Sequence, residues 1–165
     1  MLKNKLGAAL DETQSENVRQ EALKTLGCIY KKSGLNFTGS DLKDKLGAAL
    51  DETQSENVRI EALKTVGCIW ENFGDEFNNR SYFVRKLGAA LDETQSKNVR
   101  QEALKTLGSI YEKSGYAFNQ SNFVGKLHSA IKSDSSDIHK SALDTLYKIY
   151  GKDQANEICK RIYQN

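Results

Sequence analysis

Between Glu16 and Lys32 the apolar residues are Val18, Ala22, Leu23, Leu26, Ile29 and Tyr30. Intervals of three and four place them on one side of a helix. Just upstream, Lys3 to Asp11 puts Leu6, Ala9 and Leu10 on a common face and predicts a shorter helix. Thr13-Gln14-Ser15 separates the two as a tight turn. Ser15 suits an N-cap, because its hydroxyl can accept from a free backbone N–H of the first turn. Ser33-Gly34 predicts a C-terminal stop with glycine in a left-handed conformation. The unit of pattern is thus a short helix A, a turn, and a longer helix B.

The unit recurs. Leu2–Tyr30 and Leu42–Trp70 are 29-residue stretches that differ only at Asn4/Asp44, Gln20/Ile60, Leu26/Val66 and Tyr30/Trp70. Phe83–Tyr111 is a third copy and Phe123–Tyr150 a fourth, weaker one. Ala22, Ala62, Ala103 and Ala142 fall 40, 41 and 39 residues apart, the last turn having lost a residue. The repeats span about 1–40, 41–81, 82–121 and 122–150, within a single domain of 1–165. A short helix pair cannot cover its own apolar face, so stacking the pairs builds the core. Residues 151–165 hold an amphipathic segment with Ile158 and Ile162, read as a capping helix.

Each linker, Leu35–Ser40, Asp75–Ser81 and Tyr116–Ser121, carries a phenylalanine (Phe37, Phe77, Phe118) expected to plug the gap between neighbouring pairs. Ser40, Ser81 and Ser121 are placed to cap the next helix A. Gly7, Gly47 and Gly88 recur in helix A, and Gly27, Gly67 and Gly108 in helix B. Each costs about 1 kcal/mol against alanine within a helix, which predicts close approach of a neighbouring helix. The fourth repeat has Tyr147 at the helix-B glycine position.

Composition narrows the function classes. There is no proline in 165 residues, so nothing of that kind interrupts a helix. No run approaches the ~18 apolar residues of a membrane span, and the start shows no signal-peptide core, so a cytoplasmic location is the default expectation. Net charge is +2, which argues against a dedicated nucleic-acid binder. It conceals an asymmetry: Asp41–Ser81 has five basic and nine acidic residues, a balance of −4. Cys28, Cys68 and Cys159 show no metal-ligand spacing and are expected to stay reduced.

The run from Ala9 to Ile29, with Val18-Arg19, Ala22, Leu26-Gly27 and Ile29 and their equivalents in the next two copies, resembles the HEAT-like repeats named after phycobilisome lyases. The units are longer than the ~30 residues usual there and the turn lacks Asp-Pro, so an armadillo-type extra turn in the linkers is a variant of the same architecture. The resemblance implies an all-α fold: an α-α superhelix (solenoid) of about four HEAT-like helix pairs plus the C-terminal capping helix. It also implies a concave surface lined by the second helix of each pair, where partners bind. It implies too that Arg19, Arg59 and Arg100 form a structural column, continued by His139 and pairing with turn carboxylates.

Catalysis is not evident. HEAT-like hydroxylases use His-Glu pairs, whereas here Ser129 follows His128 and Lys140 follows His139. No Ser-His-Asp arrangement, phosphate loop or metal-spaced His/Cys cluster occurs, so no catalytic residue, metal or other cofactor is expected. Asp11-Glu12, Asp51-Glu52 and Asp92-Glu93 read as ordinary turn carboxylates favouring the start of helix B. The polar side of helix B carries Lys24, Lys64 and Lys105 as a ladder ending at Asp144, with Ile60 replacing the Gln20 of the first copy.

The aromatic column Tyr30, Trp70, Tyr111 and Tyr150 reads as core between repeats. Yet Trp70, Phe73 and Phe77 cluster in the second copy, which makes it the best place for an apolar anchor. The resulting expectation is a non-catalytic scaffold that holds a protein or peptide through Lys24, Ile60, Lys64, Trp70, Phe73 and Lys105. Nucleic-acid binding through the lysines and a lyase-like enzyme or accessory role are the alternatives. The first helix A lacks a preceding Phe-x-x-Ser linker, so end-to-end self-association through the N-terminal repeat is also expected.

Overall fold

The computed structural model describes residues 2–33, 40–73, 80–114 and 121–164. Phe37, Phe77 and Phe118, expected to plug the gaps between pairs, and the expected stop at Gly34 lie outside the described residues. Nine helices and no strands occur among the described residues. They are α1 (Leu2–Ala9), α2 (Glu16–Ser33), α3 (Ser40–Ala48), α4 (Glu56–Phe73), α5 (Arg80–Ala90), α6 (Lys97–Ser114), α7 (Ser121–Ile131), α8 (Ser136–Tyr150) and α9 (Lys152–Gln164). Odd-numbered α1–α7 are the A helices, even-numbered α2–α8 the B helices, and α9 is the extra C-terminal helix.

The helix-B starts follow from their caps. Ser15 Oγ accepts from Val18 N–H, Ser55 Oγ from Val58 N–H and Ser96 Oγ from Val99 N–H, at 3.3 to 3.4 Å. The fourth repeat departs from this: Ser135 makes no side-chain cap bond. At the other end of α8, Gly151 adopts φ of 74° and donates its N–H to Tyr147 carbonyl at 2.9 Å. That left-handed conformation favours glycine.

The chain divides into two compact units, Met1–Lys86 and Leu87–Asn165. In the first, α2 packs along α4, with α1 and α3 behind them. Leu23, Leu46, Ala62, Leu63, Val66, Ile69 and Trp70 are fully buried. Each large side chain of this kind contributes about 1.5 to 3 kcal/mol of transfer free energy. In the second unit α6 packs along α8, which also carries α7 and α9. Leu87, Leu104, Leu107, Ile110, Ala142 and Leu146 form its core.

Neighbouring repeats are joined by the same polar contacts. Thr65 Oγ1 lies 3.0 Å from Leu23 carbonyl of the preceding repeat and 2.8 Å from Glu61 carbonyl of its own helix. Thr145 repeats this against Leu104 at 2.9 Å and Ser141 at 2.8 Å. The first acid of each turn reaches the helix-A lysine that follows: Asp11 meets Lys45 at 3.0 Å, Asp51 meets Lys86, and Asp92 meets Lys126 at 3.2 Å. These aspartates were expected only to favour the start of their own helix B; they also clasp the next repeat. Asp11 in addition accepts from Thr13 N–H and Oγ1. The Thr13 backbone bond first, then Lys45, hold its carboxyl down at about 2.

The recurring glycines do not share one reason. At Gly47 a Cβ would run into the Tyr82 ring of the next helix A, so close approach does explain that position. At Gly27 a Cβ would meet Thr65 and Cys68 only at ordinary contact distances of 3.7 to 3.9 Å, and at Gly88 it would meet Phe123 at 3.7 Å. Those two sites have room for a methyl group, contrary to the expectation that each marks a tight crossing.

Candidate interaction surface

Two stripes reach the surface on the B helices of the first unit, with Gln20, Ile60 and Glu61 only partly exposed. On α2 they are Asn17, Gln20, Glu21, Lys24 and Lys31; on α4, Asn57, Ile60, Glu61, Lys64 and Glu71. Intervals of three and four keep each set on one face, about 100° round the helix from the buried Leu23 and Leu63. Lys24 and Lys64 are about half exposed, each side chain at 48%.

Neither lysine is a lone cation. Lys24 Nζ donates to Glu21 Oε1 at 2.7 Å, and Lys64 Nζ to Glu61 Oε1 at 2.7 Å. The Glu21 hydrogen bond and charge, aided by Glu61 of the next repeat, push the Lys24 ammonium above its usual value. The first two repeats therefore each hold a glutamate–lysine pair, so on the first unit what reads as a lysine ladder is a ladder of both signs. The glutamates are the residues the sequence reading missed. Their signal was present: a carboxylate three positions before a lysine on a helix is within pairing reach.

Cross-repeat bonds fix the stripes against each other. Asn57 Nδ2 donates to Glu16 Oε1 at 3.0 Å, and Gln20 Nε2 donates to the same oxygen at 3.0 Å. Gln54 Nε2 donates to Glu12 Oε1 at 3.2 Å. Ile60 is half-buried between Asn57 and Lys64, which leaves part of an apolar side chain on a polar stripe.

Trp70 requires a correction. It is fully buried, packed into the core of the first unit with Tyr30 at 2% exposure. A ring in that position stabilises the stack of α2 and α4 and presents nothing to a partner. Phe73 ends α4, but its side chain lies outside the described residues. In the second unit Lys105 is exposed on α6 and Asp144 on α8, and Lys148 of α8 meets Glu112 of α6 at 3.3 Å.

The arginines occupy the inner side. Arg19 and Arg59 are 8% and 7% exposed, and Arg100 is half-buried. Arg59 Nε donates to Leu50 carbonyl at 3.4 Å, closing the end of helix A onto helix B. Burial lowers its pKa, opposed by the charges of Glu52, Asp51 and Glu56. His139 takes the same place in the fourth repeat, its Nδ1 2.6 Å from Ile131 carbonyl. Arg19 Nε and Arg100 Nε are buried with no hydrogen-bond partner.

Among the described residues no group of three or more His, Cys, Asp or Glu could hold a metal ion. Cys28, Cys68 and Cys159 are free thiols. No helix of the described residues is long and apolar enough to cross a membrane.

No protein-family model matches the chain, and no curated protein matches it. Solved structures do. An engineered protein from a structural genomics programme aligns over 96% of this chain and 67% of its own, with 22% identity and a TM-score of 0.65. A designed armadillo repeat protein in complex with the peptide (KR)4 aligns over 96% and 69%, at 21% identity and a TM-score of 0.60. The fold is of the armadillo type. A computationally designed armadillo repeat protein for modular peptide recognition also matches, at 20% identity and a TM-score of 0.54. The narrower resemblance to phycobilisome-lyase repeats finds no counterpart among these matches.

Proposed function

We propose that the chain is a non-catalytic scaffold that holds a peptide or protein along the exposed face of its B helices. The observation that carries this reading is the repeated glutamate–lysine pair, Glu21–Lys24 and Glu61–Lys64, with Ile60 as the apolar interruption. Charges spaced by one repeat match an extended partner with alternating charge, and Ile60 gives one side chain of that partner an apolar contact. Two structural neighbours are described as binding or recognising peptides, which supports the reading. A phosphate backbone is a poor match, because Lys24 and Lys64 each already have an acid beside them.

The test is a peptide selected from a random display library on the immobilised protein. Replacing Ile60 by Gln and Lys64 by Ala together is expected to weaken the selected peptide about tenfold or more, read by fluorescence anisotropy. Unchanged affinity would move the site off α4.

Self-association is a second reading, favoured by one observation. Val18 is 42% exposed on α2, while its equivalent on α4, Val58, is 1% exposed. A face that is covered in one repeat and open in another suits a second copy of the chain. Dimers that appear with concentration in light scattering and vanish in Val18→Asp are the expected result; a monomer at all concentrations counts against it.

A further inference from the structure

Six positions on the outer side of repeat one are open, and the same six are covered in repeat two. In repeat two Leu42, Ala49, Val58 and Thr65 are at most 3% exposed, and Lys45 and Glu61 are half-buried. Their counterparts are Leu2, Ala9, Val18, Thr25, Lys5 and Glu21. Leu2 is 53% exposed, Lys5, Val18, Glu21 and Thr25 are exposed, and Ala9 is half-buried. Repeat one supplies the cover in repeat two: Lys45 meets Asp11, and Thr65 bonds Leu23 carbonyl. Lys5 pairs with no acid among the described residues.

The far end of a second copy does not match this side. A covering repeat offers a turn aspartate to the lysine of the next helix A, but Lys132 stands at that position in repeat four. It would oppose Lys5 with like charge. That end is also occupied. Ile158 and Ile162 of α9 line a common cleft with His128, which stands where Gly47 and Gly88 face the next helix A.

The outer side of repeat one matches itself. Helices α1 and α2 pack together across the turn at residues 10–15 and run antiparallel. Lys5 lies four residues before the end of α1 and Glu21 five residues after the start of α2, so the two stand nearly level along the pair. From Lys5 to Leu2 the chain leads away from the turn; from Glu21 to Val18 it leads toward it. Each step is three residues, about 4.5 Å. From Lys5 to Ala9 and from Glu21 to Thr25 the steps are four residues, about 6 Å, again in opposite directions. A two-fold axis normal to the face and midway between Lys5 and Glu21 therefore sets three pairs at once. Leu2 meets the second copy's Val18, Lys5 its Glu21, and Ala9 its Thr25, and the symmetry repeats all three. Apolar meets apolar, cation meets anion, and small meets small. The spacing of three and four is that of knobs-into-holes packing between helices.

We propose that the outer side of repeat one pairs with the same side of a second copy across this two-fold axis. The proposal rests on the self-association reading and gives it a symmetry and a register. The test is sedimentation velocity on the full chain with Lys5→Glu and Glu21→Lys, alone and mixed, one of them fluorescently labelled. Each variant alone puts like charges at both symmetric pairs and should weaken the dimer about tenfold or more. The equimolar mixture restores both pairs with their charges exchanged. Its mixed dimer should hold to within about threefold of the original chain, because in an isologous contact residue i meets j and j meets i. Both substitutions are at exposed positions, and circular dichroism checks that each variant stays helical. A mixture no more dimeric than its components, or single variants as dimeric as the original chain, overturns this register. If Val18→Asp still abolishes that dimer, self-association through α2 stands without it. A monomer at all concentrations overturns both.

Discussion

Helices α2 and α4 are the same helix twice in sequence and two different helices in environment. Over their 18 residues most positions match, yet Val18 is exposed and Val58 buried, and Thr25 is exposed where Thr65 is 2% exposed. Cys28 is exposed, whereas Cys68 is half-buried with its thiol raised chiefly by burial. The difference is α2 itself: α4 has α2 packed against the side that carries Val58 and Thr65, and no described helix packs on the matching side of α2. Burial in a stacked protein is thus a property of position in the stack as much as of the residue.

The largest expected break in this comparison is a buried charge. Val58→Asp should cost about 3 kcal/mol or more in urea unfolding, because a carboxylate would lose water with no partner. Val18→Asp should change stability by less than about 0.5 kcal/mol. Similar losses at both sites would show that α2 and α4 are equally covered.

A smaller contrast lies in the hydroxyls. Thr65→Val removes the link to Leu23 carbonyl and should cost about 1 kcal/mol, the net value of one buried hydrogen bond. Thr25→Val should be neutral, since Thr25 is exposed. Thermal melts of the two variants measure the difference.

The smallest effect is the pH response of the clasp between repeats one and two. The folded-state pKa of Asp11 is about 2, below its ordinary value of 3.8. Its stabilising contribution is therefore complete above pH 4 and is lost as pH falls toward 2. Asp92 is lowered in the same direction, by Lys126 first. Melting temperature should drop across that window, and Asp11→Asn should flatten the drop. An identical pH profile for Asp11→Asn would show that the clasp carries no linkage.

Much of the fold was legible because the repeat averages out local ambiguity. Helix B begins at Glu16 as the Ser15 cap predicts, and the capping helix runs Lys152–Gln164 within the expected 151–165. Helix A ends two residues earlier than read, at Ala9, because Leu10 and Asp11 turn back to bond Leu6, Gly7 and Ala8 carbonyls. The surface was less legible. Periodicity assigns Val18 to the apolar face but cannot say whether a neighbour covers it. Trp70 differs from Tyr30 and draws attention as an anchor, yet a larger ring at a core position only fills the core. Lys24 and Lys64 read as a cationic ladder until Glu21 and Glu61 are placed beside them.

The clasps and the threonine bonds have a consequence for how such a chain can grow. The first three repeats carry the residues of both halves of the joint, an aspartate for the lysine of the next helix A and a threonine for the carbonyl of the preceding helix B, whereas Lys132 stands at the aspartate position of the fourth. Any of those three copies can therefore follow another without new chemistry at the seam. Lengthening such an array asks only that a whole copy be inserted in phase.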